Sequence, residues 1–206
     1  LPWFVHHGTP LALAFILALP ATAQWQEWLL FRNSVPFEVR DPQFGIDVGF
    51  YVFRLPFITF AIDWLFAALV IVLLLTMAAH LLNGGVLFTS STPTVRPATR
   101  IHFAALLAVL AAVKAADYWY TRYDLTNENR GFVQGATYTV VKAQIPATML
   151  LMLIALLTAA LYLLTIRTNR WRVPLVASAL WLVVAIVGGV AYPALVQAAI
   201  VRPNQE

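Results

Sequence analysis

The sequence predicts an all-α, polytopic transmembrane helix bundle, and three observations carry that reading. The chain is 61% hydrophobic and only 11% charged, with a mean hydropathy of +0.78. Soluble domains are about half apolar and about a quarter charged. Five apolar runs, at about 10–30, 56–82, 101–120, 146–166 and 173–200, match the ~20 residues that a helix needs to cross hydrocarbon. Pro56, Pro146 and Pro174 stand at the entries of runs, in the first-turn position where a missing N–H costs nothing. The whole of 1–206 is therefore expected to be one transmembrane domain.

The first run is the weakest. Pro20 interrupts it, and Gln24, Gln26 and Glu27 lie at its end, so a span kinked at Pro20 with Trp25 and Trp28 in the interface is expected. Between the first two runs lies DPQFGIDVGFYVFRLP, residues 41–56, rich in turn formers and rings and poor in linker residues. It is expected to be a packed element. There Phe50, Tyr51 and Phe53 lie in the interface or against the bundle, while Asp41 or Asp47 holds a turn or meets Arg54. Asn83-Gly84-Gly85 stops the second helix. The third run ends in Tyr118-Trp119-Tyr120, and the loop after it contains GFVQGATYTVV, which is strand-prone. The fifth carries Gly188-Gly189 and Pro193, a candidate hinge.

Charge placement orients the bundle. The Leu82–Arg100 connection holds Arg96 and Arg100, and the next on that face holds Arg167, Arg170 and Arg172; neither contains an acid. By the positive-inside rule this face is cytoplasmic. Loops 31–55 and 121–145 and the C-terminal end are then extracytoplasmic, in a bacterial plasma membrane. The N-terminal LPWFVHHGTPLALAF has no Met and no basic leader, and VRPNQE stops just after an apolar run. The chain is read as a fragment of a larger protein.

Three motifs in order, DPQFGIDVGFYVFRLPF, RYDLTNENRGFVQGATYT followed by AQIPA, and YPALVQAAIVRPNQE, resemble uncharacterised protein family 0182 from about Gln24 to the end. The resemblance implies a large bacterial membrane protein with seven N-terminal spans and a large extracytoplasmic domain. This chain would supply spans three to seven. Val140-Val141 and Gly49 depart from the family pattern, which has an acid and commonly a serine there. No biochemical activity is implied.

Ionisable residues within spans are the first candidates for function, because burying charge in hydrocarbon is costly. Asp63 lies roughly 10 Å below the outer end of its helix, and Lys114 roughly 9 Å below the same surface. An interhelical Asp63–Lys114 contact is expected, with Asp117 one turn beyond Lys114. Such a group is either an ion-handling site or a pair that fixes helix register. On the outer loops, Asp41, Asp47, Phe50, Tyr51, Arg54, Arg122 and Asp124 are candidate structural or docking residues. His80 and His102 are read as interfacial or backbone-bonded, and His6-His7 likewise. Ala104, Ala108, Ala112 and Ala116 repeat at four-residue spacing, with Ala105, Ala111 and Ala115 beside them, a face for close helix packing. Ala185 and Gly189 repeat it in the fifth run. With no cysteine, thiolate zinc sites, iron–sulfur ligation and thiol nucleophiles are excluded. No catalytic residue, cofactor, metal or nucleic acid is expected. The expected partners are the lipid bilayer, the protein's own extracytoplasmic domain and other envelope membrane proteins. The expected role is a non-enzymatic membrane scaffold, with a transporter or channel using Asp63, Lys114 and Asp117 as the rival. An integral membrane enzyme working through Asp41, Asp47, Arg54 or Arg122 is the third class.

Overall fold

Apolar composition and proline placement together decide where the helices begin, bend and stop. The computed structural model describes residues 3–88, 93–127, 129–130, 133–168 and 170–201. The side chains of His6, His7 and Arg130, and residues Glu128, Gly131 and Phe132, lie outside the described residues. Two compact units are present, Leu1–Trp64 and Leu65–Glu206.

In the first unit, α1 (Trp3–Ala23) stays helical through both Pro10 and Pro20. The helix is interrupted at Gln24 (φ −97°, ψ 22°), where the sequence turns from apolar to polar, and α2 (Trp25–Arg32) starts there. Trp28, Phe31 and Phe57 cluster, with Phe57 centred 5.2 Å from each of the other two rings. Trp64 Nε1 donates to the Leu17 carbonyl at 2.7 Å, tying α1 to α3 (Leu55–Leu82).

Pro174 stands in the first turn of its helix, Arg172–Ile186, as expected, whereas Pro56 and Pro146 differ from expectation. Helix begins at Phe50, not at Pro56, because a π-helical turn, Phe50–Arg54, precedes α3. Its closing bond runs from the Leu55 N–H to the Phe50 carbonyl. The same turn, Val140–Gln144, precedes α5 (Ile145–Thr168), with the Ile145 N–H on the Val140 carbonyl just before Pro146. It recurs at Val187–Ala191, with the Tyr192 N–H on the Val187 carbonyl just before Pro193. A proline in a helix removes one donor and drives its ring against the carbonyl four residues back. The wider turn re-registers that stretch, so the helix continues past the proline. Gly188 and Gly189, expected as a hinge, fall inside the third of these turns.

In the second unit, α3 ends as Asn83-Gly84-Gly85 predicts: Gly84 is left-handed (φ 65°) and the Gly85 N–H bonds the His80 carbonyl at 2.7 Å. Strands β1 (Val86–Phe88) and β2 (Pro93–Val95) pair antiparallel, Val86 opposite Val95. Then α4 runs over Pro97–Asn127, seven residues beyond Tyr120, where the apolar run ends. Among the described residues of the strand-prone GFVQGATYTVV, only Val133–Gln134 (β4) pairs, with Asn129–Arg130 (β3). Thr139-Val140-Val141 enters the helix that leads to Pro146. Burial of Val140, fully enclosed at 0% exposure, overrides β-propensity there. The chain closes with α6 (Arg172–Ile186), α7 (Tyr192–Val196) and a last π-helical turn, Gln197–Val201.

Among the described residues, four helices are long and apolar enough to cross a membrane: Phe50–Leu82, Pro97–Asn127, Val140–Thr168 and Arg172–Val201. The described apolar stretch of α1, Pro10–Ala23, is shorter. Leu150, Leu153, Leu157, Leu175, Val176 and Leu182 are all exposed, an arrangement suited to lipid contact.

The main seam of the second unit is α4 against α5. The buried alanines of α4 are Ala104, Ala108, Ala111 and Ala115, a four-three-four spacing, whereas Ala112 is exposed. The unbroken four-residue repeat is therefore not the contact face. An α-helix has 3.6 residues per turn, so a strict four-residue row drifts off a neighbour while a four-three alternation stays on it. On α5 the facing set is Leu151, Ala155, Thr158, Tyr162 and Thr165, with the same alternation. Buried Thr158 and Thr165 each return their hydroxyl to a carbonyl four residues back, at 2.8 Å. Substituting Ala108 with leucine is expected to force this seam apart at a cost of about 1–3 kcal/mol. Ala112→Leu should melt with the parent. Thermal unfolding of the two variants in detergent measures the difference.

Candidate functional site

Segment 33–54 is built around one carboxylate. Asp47 Oδ1 accepts the N–H of Phe37 at 3.0 Å and of Gly49 at 2.7 Å, and Oδ2 accepts that of Glu38 at 2.9 Å. Arg40 and Asp47 bridge antiparallel, and the Val48 N–H bonds the Val39 carbonyl at 2.8 Å. Glu38 is held at φ 59°, an uncommon conformation for a residue with a side chain. Gly49 is buried where no side chain fits: a Cβ would lie 2.4 Å from the Val35 carbonyl oxygen and 2.8 Å from Asp47 Oδ1. The Phe37 N–H, with those of Gly49 and Glu38 and the nearby Arg40 charge, holds the Asp47 carboxyl below its ordinary value of 3.8; partial desolvation opposes this and is outweighed.

Asp41 holds the adjoining turn. Its Oδ2 accepts the Phe44 N–H at 2.6 Å and the Tyr51 hydroxyl at 3.2 Å, and left-handed Gly45 (φ 68°) closes the loop. Both aspartates thus hold turns. Arg54 meets neither, and its Nε donates to Ser34 Oγ at 2.9 Å. Tyr51 is buried, Phe50 packs edge-on against it at 5.4 Å, and Phe53 meets Phe37 edge-on at 5.3 Å. The bonds of Asp41, Asp47 and Arg54 do not bring them to one shared pocket.

Of the mid-helix charges, Asp63 lies in the first unit and Lys114 and Asp117 in the second. Lys114 Nζ meets Asp117 Oδ2 at 2.5 Å, an i, i+3 pair on α4. The ammonium also lies 5.4 Å from the Phe66 ring centre and 5.2 Å from that of Tyr118. Because α4 extends to Asn127, Lys114 sits roughly 20 Å from its C-terminal end. It borders a cavity of about 450 Å³ that also reaches Ser178 and Trp181. Near the end of α4, the Arg122 guanidinium stacks 3.4 Å from the Trp119 ring centre and bonds the Tyr123 hydroxyl. Asp124 is half-buried beside it in sequence.

Three polar pairings were not read from the sequence. His80 Nε2 and His102 Nδ1 are 3.3 Å apart, with His80 Nδ1 3.2 Å from the buried Thr99 hydroxyl. These histidines bond side chains, not backbone. Their signal was present, since both fall at the same end of consecutive apolar runs. Tyr162 and Ser178 hydroxyls meet at 2.8 Å, and the Thr139 hydroxyl donates to Gln197 at 2.6 Å. Nothing local marks those pairs, which join residues of different helices.

Four apolar helices of bilayer length, with polar groups largely bonded inside the fold, define a polytopic helical membrane protein. The chain belongs to the uncharacterised protein family UPF0182, whose profile it matches over residues 2–206. A UPF0182 protein of Thermobifida fusca is 41% identical over 194 residues, covering 94% of this chain and 19% of the relative. One from Kineococcus radiotolerans is 39% identical over 189 residues, covering 90% of this chain and 18% of the relative. One from Streptomyces coelicolor is 36% identical over 204 residues, covering 97% and 20%. The chain thus spans about a fifth of the length of the curated relatives it matches. No solved structure matches it.

Asp47 gives a pH dependence of definite sign. A depressed carboxyl stabilises the fold above its unfolded value, and that contribution is lost as pH falls through the lower folded value. Segment 33–54 should therefore be indifferent to pH from neutrality to about 4 and loosen below 3.8. Hydrogen exchange of the Phe37, Glu38 and Gly49 amides follows it, and Asp47→Asn should remove the acid transition. Gly49→Ala should cost about 1–3 kcal/mol through overpacking, read by thermal unfolding.

Proposed function

We propose that this region is a membrane-embedded scaffold that anchors and positions a larger extracytoplasmic part of the same protein, within an assembly of the bacterial cell envelope. One observation supports this reading above others: segment 37–51 is locked by a carboxylate that collects three backbone N–H groups. A rigid, non-helical element between helices suits docking. In sequence the arginine-rich connections alternate with the locked segment and the 121–145 loop across successive apolar runs, which by the positive-inside rule supports an extracytoplasmic reading of that segment. About four-fifths of each relative's length lies beyond the matched region, so there is a large remainder to hold. No reaction is assigned to this region.

A transporter or channel using Asp63, Lys114 and Asp117 is the second reading. It is favoured by the mid-helix position of the Lys114–Asp117 pair at the edge of a cavity.

The two readings predict different variants. In the full-length protein, Asp47→Ala is expected to lower the melting temperature and to expose the extracytoplasmic part to protease, while Lys114→Gln leaves protease resistance unchanged. Under the second reading, Lys114→Gln keeps the melting temperature but abolishes ion flux into proteoliposomes, followed with a pH-sensitive dye. An Asp47→Ala protein with unaltered stability and unaltered proteolysis would remove the scaffold reading.

A further inference from the structure

Trp181 Nε1 is enclosed on α6 and, among the described residues, has no hydrogen-bond acceptor. It lies roughly 14 Å from the start of the apolar helix Arg172–Val201. A buried donor left unbonded is costly and rare, the more so where hydrocarbon replaces water. The same side chain lines the cavity of about 450 Å³ that Lys114 borders, a volume within the range of small-molecule sites. Every residue lining that cavity belongs to the second unit.

The other polar groups of the cavity wall also have hydrogens to give. The Tyr162 and Ser178 hydroxyls carry one hydrogen each, and their mutual bond uses only one of them. Lys114 gives one N–H to Asp117 and keeps two more. An ammonium and an indole N–H cannot accept, and no carboxylate, amide or imidazole lines the cavity. The wall is therefore rich in donors and poor in acceptors. It carries no net charge, because Asp117 neutralises Lys114 at 2.5 Å. Rings supply much of the remainder. Phe66 and Tyr118 flank the ammonium at 5.4 and 5.2 Å, and Tyr118 meets Trp181 edge-on with centres 6.3 Å apart. Leu182, also in the lining, is 63% exposed, so the cavity opens on a surface suited to lipid contact.

We propose that this cavity binds a neutral, lipid-soluble quinone. Each property of the wall selects one part of that molecule. Two ring carbonyls accept hydrogen bonds and donate none, which complements a wall of donors. Turning the half-buried Trp181 ring brings its N–H to one of those carbonyls. The flat quinone ring packs among Phe66, Tyr118 and Trp181. Its neutrality matches the closed Lys114–Asp117 pair, whereas an anionic acceptor would bring in a buried charge with no partner left to meet it. The apolar tail leaves past Leu182 into lipid. The inference concerns binding alone, assigns no electron transfer, and rests on neither the scaffold nor the transport reading.

The test uses the full-length protein purified in detergent and three probes. These are a short-chain menaquinone, geranylgeraniol as a tail without ring carbonyls, and oleate as an anionic acceptor. Menaquinone should raise the melting temperature and remain bound in native mass spectrometry, and the other two should do neither. Trp181→Phe keeps a ring but removes the N–H, and should weaken menaquinone binding about five-fold, the worth of one net hydrogen bond. Without quinone, the same variant should melt no lower than the parent, since it loses a buried unbonded donor. Lys142→Gln, outside the cavity, should change nothing. In the unmutated protein, a menaquinone carrying a photoactivatable azide should label residues 107–118 or 178–185. Absence of menaquinone retention overturns the proposal, as does equal retention of geranylgeraniol or oleate. So does undiminished affinity in Trp181→Phe, or a photolabel confined to other segments because another helix of the protein fills the cavity.

Discussion

In hydrocarbon, no water is available to bond a stray N–H or C=O, and the helices of this chain are organised around that constraint. Each proline inside a span threatens it twice, by removing a donor and by pushing away a carbonyl. The chain answers at Pro56, Pro146 and Pro193 with the same wide turn, in which the residue before the proline bonds the carbonyl five positions back. Threonine hydroxyls on α5 return to their own helix for the same reason. At the end of α3, Asn83 Nδ2 donates to the Ala79 carbonyl at 2.9 Å and Gly85 N–H takes that of His80. Helix ends and helix interruptions are therefore as closely specified as the packed seam.

Much of the fold was legible because burial in a bilayer imposes long apolar runs, which composition alone reveals. The second to fifth runs correspond to the four helices of bilayer length, and Asn83-Gly84-Gly85 stops α3 as its glycines require. Boundaries were less legible. Tyr120 looked like an end because rings favour interfaces, yet α4 continues to Asn127 through polar residues that the apolar pattern cannot count. Val140-Val141 looked like strand because β-propensity is local, whereas the burial that makes it helical is tertiary. The alanine seam was recognised, but its phase required a partner helix to define it.

The candidate residues divide along the same line. Asp41 and Asp47 were readable as turn holders from neighbouring Pro42 and Gly45, and each bonds one backbone N–H within three residues, Phe44 and Gly49, while the reach of Asp47 back to Phe37 and Glu38 was not legible. Lys114 was readable as a costly charge within a span. Its partner on α4, Asp117, also lies within one turn in sequence. Tyr162 with Ser178, and Thr139 with Gln197, pair across helices and leave no trace in a single segment. Short-range chemistry is written in the sequence; long-range chemistry needs the fold.

The π-helical turn at Val140–Gln144 has one more consequence, which concerns helical phase. A turn closed over five residues holds one residue more than the α-helical turn it replaces, and one residue is about 100° of rotation. The faces of the chain before and after Pro146 are therefore offset by that angle relative to an uninterrupted helix. Two relatives that differ by a single-residue gap just before this proline would bury different residues on either side of it, even with every later position identical. The interval between Thr139 and Pro146 thus acts as a coupling of set angle between the preceding loop and α5, and its length matters more than its composition.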